Sequence, residues 1–222
     1  MQSAQLEREV NNPKQALLFL DTTIEKYPTF YKPYLIFAQL KIEEGEYDCA
    51  RETYEKSVKA CNSHPQLWIC YAQMEQGLEN FAKARAILQK GRIKNPKNDL
   101  LWLETIRLEI RAESLKIAHN LISRALQQCP ESGKLWSLAI ELEPVNQRKA
   151  KGLLAIKKLE QDALVNISLA RLFWIEKKYD KTQRWMKRAV ACDKDLGDAW
   201  AYLYKFELEH GTPESQKKVL KE

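Results

Sequence analysis

The chain has 222 residues, 45% hydrophobic and 30% charged, with a net charge of +6, a balance that belongs to a folded chain and excludes a disordered one. It holds no run of about 18 apolar residues, which excludes a membrane-spanning helix, and its opening, MQSAQLEREVNN, lacks the apolar core of a secretion signal. Seven Gly and eight Pro leave little room for strands joined by tight turns, whereas the long Ala/Leu/Glu/Lys/Arg-rich segments favour helix throughout.

Read from the N-terminus, residues 2–9 resemble the tail of a helix, since AQLE (4–7) aligns with AQMEQ (72–76). Ala16 and Leu20 share one helical face, and Pro28 stops that helix. The next helix carries Tyr34 and Ala38. Gly45 supplies a turn, and ARETYEK (50–56) opens another helix with Ala50. LWICYAQME (67–75), LWLETIRLE (101–109) and LWSLAIELE (135–143) then begin 34 residues apart. The first two are followed by helices containing Ala84 and Ala118, which close before Pro96 and Pro130. Gly133 opens the third copy and Pro144 ends it early, so the repeat near 133–162 is about four residues short. The register resumes with Asn166, Ala170 and Leu172, and from Gly197 with Trp200, Tyr204 and Phe206. Gly211 marks a turn, and a last helix starts near Pro213.

A fixed interval of this length means stacked supersecondary units. Each unit reads as helix A, a turn, helix B and a turn. Tyr34, Trp68, Trp102, Trp136 and Trp200 form one column on A; Ala16, Ala50, Ala84 and Ala118 form one on B. Small residues belong where helices approach closely, and bulky ones where they fill the space between. One helix pair cannot bury its apolar face, but a stack of pairs can. The expectation is therefore an all-α, right-handed α-α superhelix forming a single array over residues 1–222. It comprises about five full helix pairs with partial pairs at both ends, as a fragment of a longer protein. Self-association through exposed array ends is a corollary. The tryptophans are assigned to the core rather than to a base-stacking or peptide-gripping platform, because each buries up to about 250 Å².

Glu75 lies one turn beyond Ala72 on an otherwise apolar stripe, and Glu109, Glu143 and Glu207 recur at its place. A carboxylate there needs a partner. Arg51 and Arg85 recur at one B-helix position, where His119 and Gln183 stand later. This pattern suggests a Glu–Arg ladder fixing the register of A against B helices; the alternative is a Glu75 solvated at a groove edge. Recurrence in every unit marks these carboxylates as architecture rather than as a catalytic pair. His64, His119 and His210 stand far apart, the five cysteines form no C-x-x-C pair, and no glycine-rich phosphate loop is present. No catalysis, metal or cofactor is expected, and the odd, scattered cysteines suit reduced thiols.

Charge is unevenly placed. Residues 144–192 hold twelve Lys and Arg against four Asp and Glu. Arg148, Lys149, Lys151, Lys157 and Lys158 on one helical segment precede Lys177, Lys178, Lys181, Arg184, Lys187 and Arg188 on the next B segment. Two readings stay open for this basic face: a solvated polar surface, or contact with RNA phosphates or an acidic partner segment. No aromatic platform is apparent beside it, so sequence-specific readout is not expected.

The A pattern Trp-x-x-aromatic/small-x-x-Leu/Met-Glu, with B helices of the form ARETYEK (50–56) and ARAILQK (84–90), resembles the half-a-TPR (HAT) repeat of RNA-processing factors. KNPKNDLLWLETIRLE (94–109), LFWIEKKYDKTQRW (172–185) and DLGDAWAYLYKFELEHGT (195–212) are similar to the C-terminal array of the pre-mRNA-processing factor 6 family. That resemblance implies a nuclear, non-catalytic scaffold holding the U5 particle to the U4/U6 particle in the spliceosomal tri-snRNP, with snRNP proteins as partners. By analogy with tetratricopeptide arrays, Gln39, Gln73, Arg107, Glu141, Arg171 and Lys205 line a concave partner groove.

Overall fold

The computed structural model describes residues 13–221. The helix tail expected at 2–9 lies outside them. The described residues form thirteen α-helices and no strand. They are α1 (Pro13–Lys26), α2 (Tyr31–Glu43), α3 (Tyr47–Ala60), α4 (Pro65–Gly77), α5 (Phe81–Lys94), α6 (Asp99–Arg111), α7 (Leu115–Gln128), α8 (Gly133–Leu142), α9 (Val145–Lys158), α10 (Ala163–Ile175), α11 (Tyr179–Cys192), α12 (Gly197–His210) and α13 (Pro213–Lys221). Even-numbered helices are the A helices and odd-numbered ones the B helices. Several A helices start on side-chain caps. Asn98, Ser132 and Asp162 accept from the amides of Leu101, Leu135 and Val165, and each such cap contributes about 1 kcal/mol. Pro65 opens α4, where its missing N–H has no partner to lose.

The chain divides into two compact units at Ser114/Leu115, the first holding α1–α6 and the second α7–α13. In each unit successive A helices touch one another: α2, α4 and α6 in the first, α8, α10 and α12 in the second. Among the described residues of each unit, B helices pack on A helices. The layering shows in burial. Helix α4 buries Leu67, Trp68, Ile69, Tyr71, Ala72, Met74 and Glu75, most of its circumference, while α3 buries a single stripe of Ala50, Thr53, Tyr54 and Ser57. A helix covered on several sides must be apolar nearly all round, and one covered on a single side need not be. The first unit's main core joins Ala38, Ala50, Tyr54, Trp68, Ala72, Ala84, Leu88 and Leu101. The second unit has one cluster around Trp136, Ile140, Ala155 and Val165 and another around Ala170, Met186, Ala189, Leu203 and Phe206. Ala118 is also fully buried.

The tryptophan column has a second task besides filling space. The indole N–H of Trp68 donates to the carbonyl of Asn62 (3.0 Å), that of Trp102 to Pro96 (2.9 Å), that of Trp136 to Pro130 (2.8 Å) and that of Trp200 to Lys194 (2.8 Å). Tyr34 donates its hydroxyl to Pro28 (3.1 Å). Each acceptor lies six residues back, in the loop that introduces the A helix. A buried indole needs such a partner, and Pro and Asn loop carbonyls supply it. Opposite the ring sits a small residue: a Cβ on Gly91 would stand 2.9 Å from Trp68 Cγ. Asn166 breaks the column. Its loop carbonyl, that of Glu160, instead accepts from the Arg188 guanidinium at 3.3 Å. Trp200 is only partly buried, because Val219 and Val190 leave a cavity beside it that Leu203 and Lys187 also line.

The A–B turns repeat one geometry. Gly45, Glu79, Glu113 and Lys177 all take positive φ, at 79°, 61°, 56° and 58°. The residue after each donates its amide to a carbonyl five residues back: Asn80 to Glu75 (2.9 Å), Ser114 to Glu109 (2.8 Å), Lys178 to Phe173 (2.9 Å). The short repeat loses its residues here. Helix α8 has 10 residues where α6 has 13, while α9 keeps the 14 of the other full B helices. Pro144 then caps α9 without a left-handed turn residue.

Candidate functional site

The structure brings the predicted ladder residues together. Glu75 has no exposed surface. Arg51 Nε donates to its Oε1 at 2.6 Å and Arg51 Nη2 to Oε2 at 3.3 Å. Lys83 Nζ lies 3.0 Å from Oε1, and Asn80 Nδ2 donates to Oε2 at 3.0 Å. Burial pushes this carboxyl up, but the bonds from Arg51, Lys83 and Asn80 outweigh it and hold the group at about 2. The next rung is bidentate, Arg85 to Glu109 at 2.8 and 3.0 Å. At the last A helix, Gln183 donates to Glu207 at 2.7 Å and Ser215 Oγ at 2.5 Å. Glu143 differs from the other three. It caps the shortened α8 in extended conformation and pairs with Lys151 at 3.0 Å, not with His119.

One rung carries no signal in the sequence, because its residue is not acidic. Phe173, buried and seven residues after Asn166, occupies the Glu75 place in α10. Lys149, 24 residues earlier like Arg51 before Glu75, lies 5.6 Å from its ring centroid. Lys181, eight residues later like Lys83, lies 5.7 Å from it. The cations of the rung are retained and the carboxylate is replaced by a ring.

The six groove residues are all exposed and stand on the A helices. In the first unit Gln73 donates to Glu104 at 3.3 Å, and Arg107 pairs with the same carboxylate at 2.9 Å; Gln39 sits on α2. In the second, Arg171 bridges Glu141 at 2.5 Å and the ring of Tyr202 at 5.5 Å. Lys205 lies 5.9 Å from the Trp174 ring. Arg171, Trp174, Ile175, Tyr202, Lys205 and Glu209 line a cleft of about 430 Å³. Trp174 and Tyr202 were missed from sequence because their meeting depends on how neighbouring A helices pack.

The basic residues do not form one uniform face. Arg148 is tied to the Glu143 carbonyl, Lys149 and Lys178 share Glu176, and Arg188 binds Glu160 at 2.9 Å. Lys157, Lys158, Lys177 and Lys187 are exposed. Two rings stand among these charges, the buried Phe173 and the partly exposed Trp185. Phe173, Lys181, Arg184, Trp185 and Arg188 line a common cleft of about 400 Å³, with Arg188 5.3 Å from the Trp185 ring.

Helix pairs with fixed bulky and small columns define a repeat protein of the tetratricopeptide class. A tetratricopeptide-repeat family model matches residues 31–74. The crystal structure of yeast Tom70 superposes over 99% of this chain and 48% of its own, with a TM-score of 0.72 at 15% identity, a likeness of fold. The chain is 37% identical over 90% of its length to pre-mRNA-splicing factor prp1 of Schizosaccharomyces pombe. It is 51% identical over 75 residues, 34% of its length, to human pre-mRNA-processing factor 6. These alignments span 22% and 8% of the two relatives. The chain belongs to the HAT/TPR-like repeat family of these pre-mRNA-splicing factors.

Proposed function

We propose that this array is a non-catalytic scaffold in pre-mRNA splicing, working in the nucleus. It holds the U5 particle to the U4/U6 particle in the tri-snRNP through protein–protein contacts. The names of its relatives support the splicing role. The observation that carries the scaffold reading is the exposed A-helix row of the second unit, where Arg171 and Lys205 lie beside the rings of Tyr202 and Trp174. Flat rings with adjacent fixed cations give a partner segment apolar contact and charge selection at once. The test is cross-linking mass spectrometry of the full-length protein in its native particle, with Arg171→Glu/Lys205→Glu alongside. Cross-links from Lys205 to one partner segment are expected, with about a tenfold loss of that partner's co-purification in the variant, as for removal of a binding hot spot. Cross-links confined to the B helices, with co-purification unchanged, would sink this reading.

A further inference from the structure

The broken rung at Phe173 leaves positive charge without its customary partner. In the intact rung the buried Glu75 neutralises Arg51 and Lys83. Here Lys149 shares Glu176 with Lys178 at 3.5 Å, across a partly exposed pair. No described carboxylate lies within ion-pair distance of Lys181 or Arg184; Arg184 reaches only the backbone carbonyl of Asp180. These cations open into the cleft that Trp185 and Arg188 also line. We propose that this cleft, lined by Phe173 of α10 and by residues of α11, binds single-stranded RNA through its phosphates.

Three observations select that occupant. The excess charge spreads along α11, from Lys181 and Arg184 to Lys187, with the exposed Lys157 and Lys158 on α9. A spread of this kind matches a chain with evenly spaced negative charges better than it matches one acidic side chain. Trp185 is partly exposed beside the arginines and offers a ring face that any base can use. The surface also lacks a built set of donors aimed at one position, so binding is independent of base sequence. This site is separate from the A-helix row, and its success or failure leaves the scaffold reading standing.

The test is fluorescence anisotropy of the whole chain with a labelled 12-nucleotide oligouridine at 50 and 200 mM salt. Parent protein binds, and affinity falls with salt. Lys181→Glu/Arg184→Glu weakens binding about tenfold and flattens the log–log salt slope by about 1.4, the value for two lost single-strand phosphate contacts. Phe173→Glu restores the carboxylate found in sister repeats. It keeps the parent's helical circular dichroism and melting temperature while weakening RNA binding. A Phe173→Glu protein that folds and binds RNA undiminished overturns the proposal. So does absence of binding by the parent at 50 mM salt, or equal affinity for a polyglutamate peptide of the same charge.

Discussion

Glu75 shows how one residue can be both buried and charged. A lone carboxylate in an apolar layer would stay protonated; three donors converging on both oxygens reverse that. The folded group titrates near 2 against an ordinary 4.5, so its contribution is complete above about pH 4.5 and disappears as pH falls towards 2. Linkage sets that contribution at no more than about 3 kcal/mol. In thermal melts from pH 6 to pH 3, Glu75→Gln should begin below the parent, because Arg51 and Lys83 lose their counter-charge, and then fall less steeply. Equal slopes would show that the carboxylate does not titrate with folding. The need for such a partner could be read from the chain, since a recurring acid on an apolar stripe demands a recurring base. Phe173 could not be found by that route. A ring on an apolar stripe makes no such demand, and the shortened repeat shifts the count before it. Only the fixed offsets of 24 and 8 residues, taken from the intact rung, identify its two lysines.

At the level of the element, helix type and order were legible because Trp, Ala and Pro recur at one interval and each has a plain mechanical reason. The turns were less so. Gly45 marks the left-handed position, but Glu79, Glu113 and Lys177 occupy the same conformation with side chains that carry no such signal. A left-handed conformation costs a residue bearing Cβ about 1–2 kcal/mol, partly offset in glycine by its greater freedom when unfolded. Glu79→Gly and Glu113→Gly should therefore each raise stability in urea by about 0.5 kcal/mol, with an unchanged m-value. A loss of stability would mean that these glutamates make contacts that outweigh the strain. The short repeat follows from the same turns: its residues are removed from the end of α8 and the connection, leaving the 14-residue B helix whole.

At the level of the molecule, two surfaces with different physics lie on different layers of the second unit. The A-helix row pairs cations with partly buried rings and acids; the cleft beside Phe173 gathers Lys181 and Arg184, which have no described acid within reach, beside the Glu160-bound Arg188. The two should be separable. Arg171→Glu/Lys205→Glu is expected to reduce partner co-purification while changing RNA anisotropy by no more than about twofold, the size of a long-range charge effect. Phe173→Glu should do the reverse. Loss of both by either variant would mean one shared surface. Charge clustering was visible in the sequence. Its division into neutralised and unneutralised groups was not, because that depends on which acids the packing brings within reach.

The bond from each indole of the Trp68, Trp102, Trp136 and Trp200 column to a carbonyl six positions upstream has a kinetic side. Such a joint closes over a stretch of chain that diffuses into contact quickly, and it waits for no distant segment. Each layer can therefore set the angle at which its own helix enters before its neighbours arrive. Assembly can start at any layer and spread in both directions, with no obligatory first step.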